Sequence, residues 1–149
     1  MPNTETSPEI FFVTGPISVG FIAEIIQKQS HNTSLGGHSI FLGQVRADTI
    51  GETQVKEIEY TSYEPLALEK MQEIRKDILT KYPLNSIQVF HSIGKIAVGE
   101  ICIFVLTCAR HRKAAMHACE EIVERIKSEL PIWGKEIFED DSQQWKINN

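Results

Sequence analysis

The stretch Ile87-Gln88-Val89-Phe90-His91-Ser92-Ile93-Gly94-Lys95-Ile96-Ala97-Val98-Gly99-Glu100-Ile101-Cys102-Ile103-Phe104-Val105-Leu106-Thr107-Cys108 decides the fold. Ile87, Val89 and His91 fall at every second position, the period of a strand. Gly94-Lys95 reads as a turn. Glu100 to Cys108 is an apolar run rich in β-branched residues, which suits a central strand. Two strands joined with no helix between them are not a βαβ unit, so the sheet is mixed or antiparallel rather than doubly wound.

Toward the C-terminus, the basic turn Arg110-His111-Arg112-Lys113 opens a helix over about Arg112 to Glu129. Its buried stripe is Ala115, Cys119, Ile122 and Ile126, with Met116 and Val123 beside them and Lys127 next in line. Pro131 stops it, and Ile132 to Phe138 reads as a final strand. Toward the N-terminus, Glu64-Pro65 opens a long helix with Ala67, Met71, Ile74 and Ile78 on one face, closed by Tyr82-Pro83. Before it, Ile58 and Tyr60 alternate with Glu57, Glu59 and Thr61 as a half-buried strand. Ala47 to Thr53 reads as a mobile loop around Gly51. Ser39 to Arg46 reads as a strand with Gly43 as a thin spot and Arg46 at its mouth. A polar turn from Ser30 to Gly37 follows a helix capped by Ser18 and carrying Phe21, Ile22, Ile25 and Ile26. Ile10 to Thr14 forms the first strand. Residues 1–8 and the extreme C-terminus are expected to be disordered, and residues 9–149 to form a single α+β domain with about three helices packed on the sheet.

Composition narrows the function classes. Apolar residues at 42% and charged residues at 23% are ordinary for a soluble domain, and no apolar run approaches the ~20 residues of a membrane span. With 15 basic against 20 acidic residues the net charge is −5, which disfavours general binding to a nucleic-acid backbone. The start Met1-Pro2-Asn3-Thr4-Glu5-Thr6-Ser7 lacks the basic and apolar regions of a secretory signal, so a cytoplasmic protein is expected. Three cysteines without a CxxC fit a reducing compartment.

Against that acidic background, cations gathered at the ends of elements point to a small anionic ligand. Lys127 stands where helical period expects an apolar residue; its bland alternative is a stem that covers apolar surface while the head reaches water. Arg46 alone is a weaker signal than Lys127, since strand ends commonly carry a solvated arginine. Arg110 to Lys113 lie at a helix N-terminus, where basic side chains oppose the dipole and free N–H groups favour an anion. A run that costs helix stability is better explained by an anion held there.

Cys108, closing a strand before this turn, has the setting of a cysteine phosphatase or sulfurtransferase nucleophile. A phosphatase loop requires an arginine six positions on, where this chain has Ala114, and a glycine between, which is missing. Cys108 therefore reads as a structural strand residue, as do Cys102 and Cys119. His31, His38, His91, His111 and His117 show no metal-ligand spacing, and there is no Walker loop, GxGxxG or GxSxG.

Phe41-x-Gly43-x-Val45-Arg46, the Glu59-Tyr60 strand, His91-x-x-Gly94, Val98-Gly99-Glu100, His111-Arg112 at a helix start and Ile126-Lys127…Pro131-x-Trp133-x-Lys135-Glu136 together resemble the MoaE family, the catalytic large subunit of molybdopterin synthase. The resemblance runs from about Phe11 to Trp145. It implies an α/β hammerhead type of architecture and a sulfur transfer that needs neither metal nor bound organic cofactor. A small MoaD-like, ubiquitin-like carrier would bring the sulfur as a thiocarboxylate on its C-terminal Gly-Gly tail. The acceptor would be cyclic pyranopterin monophosphate, precursor Z, which gains the two sulfurs of the molybdopterin dithiolene.

The same resemblance implies that Lys127 acts next to the tail, that Arg46, His111 and Arg112 bind phosphate, and that Phe41 walls the pterin. It also implies a homodimer with one small subunit at each far end, a heterotetramer overall, in which one protomer's basic turn completes the other's site. Three positions depart from the family pattern. Gly134 stands where a second lysine is usual, so either a bulge turns Lys135 inward as its substitute or that lysine is missing. Ser92 replaces an arginine. The turn before His111 is one residue longer, through Arg110, which can substitute for charge lost elsewhere. If the second lysine is missing, a non-catalytic module that holds the carrier tail is the alternative function.

Overall fold

A computed structural model describes residues 11–148. The expected disorder of residues 1–8, and Ile10 of the first strand, lie outside the described residues. The elements are β1 (Phe12–Thr14), α1 (Val19–Gln29), β2 (Gly37–Gln44), β3 (Thr49–Ile50), β4 (Thr53–Ser62), α2 (Glu64–Lys81), β5 (Ser86–Ala97), β6 (Ile101–Ala109), α3 (Arg112–Glu129), β7 (Ile132–Phe138) and β8 (Gln143–Trp145). Eight strands form one sheet in the order β2-β6-β5-β4-β7-β8, with β1 parallel to β5 and β3 antiparallel to β4. Only the β1–β5 pair is parallel, so the architecture is α+β on a mixed, mostly antiparallel sheet.

The apolar run of β6 is continuous because both faces of the strand are covered. Ile103 and Val105 face one core with Ile87 and Val89 of β5, Ile74 and Ile78 of α2, and Ile122 and Ile126 of α3. Phe104 and Leu106 face the other, with Phe90 and with Ile22 and Ile25 of α1. Successive side chains of a strand alternate between faces, which is how one run feeds two clusters.

Helix ends follow local chemistry. Ser18 Oγ accepts the Phe21 N–H at 3.1 Å, and Pro65 occupies the first turn of α2, where no N–H is needed. α3 runs from Arg112 to Glu129 and ends at Leu130, held by Pro131 in an extended conformation.

Four expectations need correction. Gly94-Lys95 is not a turn: β5 continues to Ala97, and Gly94, with φ +96°, marks where it leaves β6 and pairs with β4. The connection to β6 is made at Val98-Gly99-Glu100, where Gly99 has φ +89°. Residues 47–53 are not a plain loop, because Thr49 and Ile50 pair with Gln54 and Thr53 around Gly51, the left-handed residue of the turn. β2 spans Gly37–Gln44 rather than Ser39 to Arg46; its register slips between Gly43 and Gln44, which leaves Arg46 outside the strand. The C-terminal segment also contributes a strand, β8, beside β7.

Candidate active site

α3 carries Lys127 in its last turn, where a cation complements the helix dipole. The side chain reaches a cavity of about 80 Å³ lined by Tyr60 of β4, His91 of β5, Trp133 and Gly134 of β7, and Lys146 just past β8. Lys127 keeps contact with solvent in the single chain. Even so, enough protein surrounds its ammonium that desolvation lowers its pKa below the ordinary 10.5. The charges of Lys146 and Arg46 lower it further, against the opposite pull of Cys102 and Glu124.

The floor of the cavity is uncharged. His91 is 6% exposed, and burial pushes its pKa down to about 4, with the Lys127 charge acting in the same direction and its bond to the Ser92 carbonyl opposing. Its Nδ1–H donates to that carbonyl at 2.8 Å, which leaves Nε2 as an acceptor. Tyr60 packs edge-on against the imidazole at 5.1 Å and donates its hydroxyl to Cys102 Sγ at 3.5 Å; burial raises its pKa, so the phenol stays protonated. A lysine at the rim of a buried, uncharged floor is a cation that gains from an anionic guest.

β7 pairs with β4 in unbroken register from Ile132↔Ser62 to Ile137↔Glu57. No bulge occurs at Gly134, so of the two alternatives the register does not follow the one in which Lys135 turns inward. Strand alternation sends it to the face away from Gly134, where it lies 3.8 Å from Glu59 and 5.8 Å from the centre of the Trp145 ring. A Cβ at position 134 would come within 3.0 Å of Ile58 Cγ2 and 3.1 Å of Tyr60 Cε1, so the Tyr60 ring fills space next to a side chain there.

Arg46 makes a two-point pair with Asp48, at 3.2 and 3.1 Å, and its side chain is 70% exposed. It lines an adjoining cavity of about 420 Å³ that also includes Glu136, Trp145 and Lys146. Lys146 is thus shared by both cavities. Phe41 lies farther along, in a groove of about 590 Å³ between β2 and α3 with Met116, Val123 and Glu124. Val123 stands one turn before Lys127, so groove and cavity follow one another along the helix.

Arg110, His111 and Arg112 are not brought to Lys127 within one chain. They stand exposed at the start of α3, roughly 22 Å away along the axis at about 1.5 Å per residue. His111 at the cap position makes no side-chain capping bond, and the first turn holds no acidic residue. The start of β2 is pressed against this corner: a Cβ on Gly37 would lie 2.9 Å from Arg112 Cα.

Cys108 is fully buried 3.0 Å from His38 Nδ1, and burial pushes its thiol pKa up, as it does for Cys119. A thiol held protonated away from every cavity described above is a poor nucleophile. Ser92 is also fully buried, with no partner for its hydroxyl among the described residues, so an arginine there would bury an unpaired charge. No cluster of three or more His, Cys, Asp or Glu side chains suited to a metal occurs among the described residues.

Three wall residues were not singled out from sequence for the site: Tyr60, His91 and Lys146. Period two alone puts His91 on the face of Ile87 and Val89, toward α3, and that signal was available. Nothing comparable marks Lys146.

Fold and site together define a small α+β protein that gathers lysines beside a recess at the end of a helix. The family model described as MoaE protein matches residues 13–129, most of the chain. The molybdopterin synthase catalytic subunit of Pyrococcus abyssi is 36% identical over 114 residues, 76% of either chain. The crystal structure of molybdopterin synthase from Staphylococcus aureus is similar with a TM-score of 0.80 at 32% identity, covering 94% of this chain and 98% of that one. In fold alone, the chain also matches the complex of subunits 1 and 2 of molybdopterin-converting factor from Helicobacter pylori, with a TM-score of 0.78 at 17% identity over 93% and 90% of the two chains. The chain belongs to the MoaE family.

Proposed function

We propose that this chain is the catalytic subunit of a molybdopterin synthase, an enzyme of molybdenum cofactor biosynthesis. It would act as a sulfurtransferase, with residues 9–149 forming one domain in the cytoplasm. Membership of the family and likeness to molybdopterin synthase catalytic subunits support the reading. No helix among the described residues is long and apolar enough to cross a membrane. The observation that carries the reading is Lys127, a partly desolvated cation at the mouth of a neutral recess with a second lysine beside it.

In this reading a small MoaD-like subunit inserts its Gly-Gly tail toward Lys127. Each transfer forms a carbon–sulfur bond at a side-chain carbon of cyclic pyranopterin monophosphate as that carbon's bond to oxygen breaks. The oxygen stays with the phosphate as the cyclic ester opens at one carbon, and leaves as water at the other. The carbon–sulfur bond of the tail breaks as its acyl carbon takes an oxygen from water and leaves as carboxylate. Lys127 stabilises the oxyanion at that carbon and can donate a proton to it. Arg46 faces the substrate phosphate once Asp48 releases it, and Phe41 walls the pterin. Arg110, His111 and Arg112, too far from Lys127 in their own chain, serve the site of a second protomer in a homodimer, and two carriers complete a heterotetramer. Lys135 ties β7 to β8 through Trp145. No cysteine of the chain reacts.

Single-turnover conversion of cyclic pyranopterin monophosphate with thiocarboxylated carrier tests this. Formation of the dithiolene product at a useful rate is expected. Tight carrier binding without product would favour the tail-binding module that the missing lysine at Gly134 suggests.

A further inference from the structure

We propose that Lys146 is the second cation of this site, and that it holds an oxyanion jointly with Lys127 in the recess that both border beside Gly134. The inference rests on the function proposed above for the same recess. It begins from the β7–β8 register, in which Lys135 faces Trp145, Glu136 faces Gln144 and Ile137 faces Gln143. One step further along the ladder, the Lys146 N–H donates to the Gly134 carbonyl at 2.7 Å. Side chains of directly opposed residues share a face. Lys146 is therefore on the side of Gly134, Tyr60 and Lys127, while Trp145 goes with Lys135 to the other side.

Three further observations agree. Lys146 is the one residue from Glu139 to Asn148 that is not classed with the exposed ones, although its neighbours Trp145 and Ile147 are 61% and 77% exposed. It lines both the Lys127 cavity and the Arg46 cavity, so one lysine borders the two cationic positions. It makes no ion pair with a carboxylate among the described residues, whereas Lys135 and Arg46 each have one. Lysines drawn together on a net-acidic chain repel, and an anion between them removes that cost. Position 134 is too close to Tyr60 for an easy side chain, so the charge enters from the adjacent strand. Lys146 also lies beyond residues 13–129, where the family match ends.

Two anions share the required chemistry: the carboxylate or thiocarboxylate of a carrier tail, and the phosphate of the pterin. Lys146→Met keeps the apolar stem and removes the charge; just past a three-residue edge strand, it is expected to leave thermal unfolding unchanged. In single turnover with thiocarboxylated carrier, Lys146→Met is expected to lose about tenfold to a hundredfold in rate, with Lys146→Arg recovering most of it and Lys135→Met near wild type. A raised Kd for carrier alone assigns Lys146 to the tail, and a raised KM for the pterin assigns it to the phosphate.

Inorganic phosphate binding, followed through the Lys127 side-chain NMR signal, gives a readout that needs no turnover. Phosphate is expected to bind severalfold more weakly to Lys146→Met, and the Lys127 pKa of the free chain to rise once that neighbour is gone. The remaining charges and titratable groups facing it, His91, Cys102, Glu124 and Arg46, are unchanged in this variant. Unaltered phosphate affinity and an unmoved Lys127 titration overturn the inference, as does a Lys146→Met rate within about twofold of wild type. Absence of product from the wild-type protein would instead overturn the proposed function, while the phosphate titration still decides the place of Lys146.

Discussion

The two ends of α3 are both basic, but they are built in opposite ways. At the N-terminal end, Arg112 and Lys113 follow an uncapped His111, project into solvent and oppose the helix dipole. At the C-terminal end, Lys127 is favoured by the dipole and set beside the uncharged His91 and Tyr60, where the surrounding protein strips part of its hydration. A site made in one piece would have both sets facing one recess. Here roughly 22 Å of helix separates them. The C-terminal end is shaped as a pocket and the N-terminal end as a set of free cations, which fits a site shared between two copies of the chain.

The largest effect expected is at the pocket. Lys127→Ala should lower turnover by about a hundredfold or more while the Kd for the carrier stays within about threefold, since one charge is lost from a wide protein contact. Steady-state kinetics beside a binding titration check both halves. Equal losses at the two ends would break the distinction.

His91 supplies the next. Its pKa of about 4 lies below the ordinary 6.5, so between these values the unfolded chain binds a proton that the folded chain refuses. Stability is then fully present above pH 6.5 and falls by about 3 kcal/mol as pH drops to 4. Urea melts across that window should show the slope, and His91→Gln should flatten it.

Arg112→Ala should cost roughly tenfold in pterin KM, the size of one charge-assisted hydrogen bond. Mixed with Lys127→Ala protomers, it should recover activity if sites are shared, because half of the sites in a mixed dimer are then intact. No recovery would place the whole site in one chain. Smallest of all, Cys108→Ser should leave sulfur transfer within about twofold, because the thiol is buried away from every cavity described here. A well-folded but inactive Cys108→Ser would reassign the origin of the sulfur.

The legible and illegible parts of the chain divide along physical lines. α3 was readable to its bounds, because a strong 3.6 period ends at a proline. β7 was readable for the same reason, lying just beyond that stop. The antiparallel pairing of β5 and β6 was also legible, although the glycine pattern points to a turn at Gly94 and the chain turns at Gly99. Both glycines have positive φ, and only the pairing shows that the first is a change of partner within a strand. β3 and β8 are too short and exposed to carry a period. The choice between an inward Lys135 and a missing lysine depended on register, which is a property of two strands and not of either one. Lys146 was hidden for that reason, since its face is defined only by its pairing with Gly134.

The most direct test of the central claim is the titration of the Lys127 ammonium by NMR, in the free chain and with carrier bound. The account predicts a pKa below the ordinary 10.5 in the free chain, and a rise when the anionic tail enters, as an opposite charge restores the charged form. A Lys127 that titrates as an ordinary surface lysine and is indifferent to the tail would contradict it.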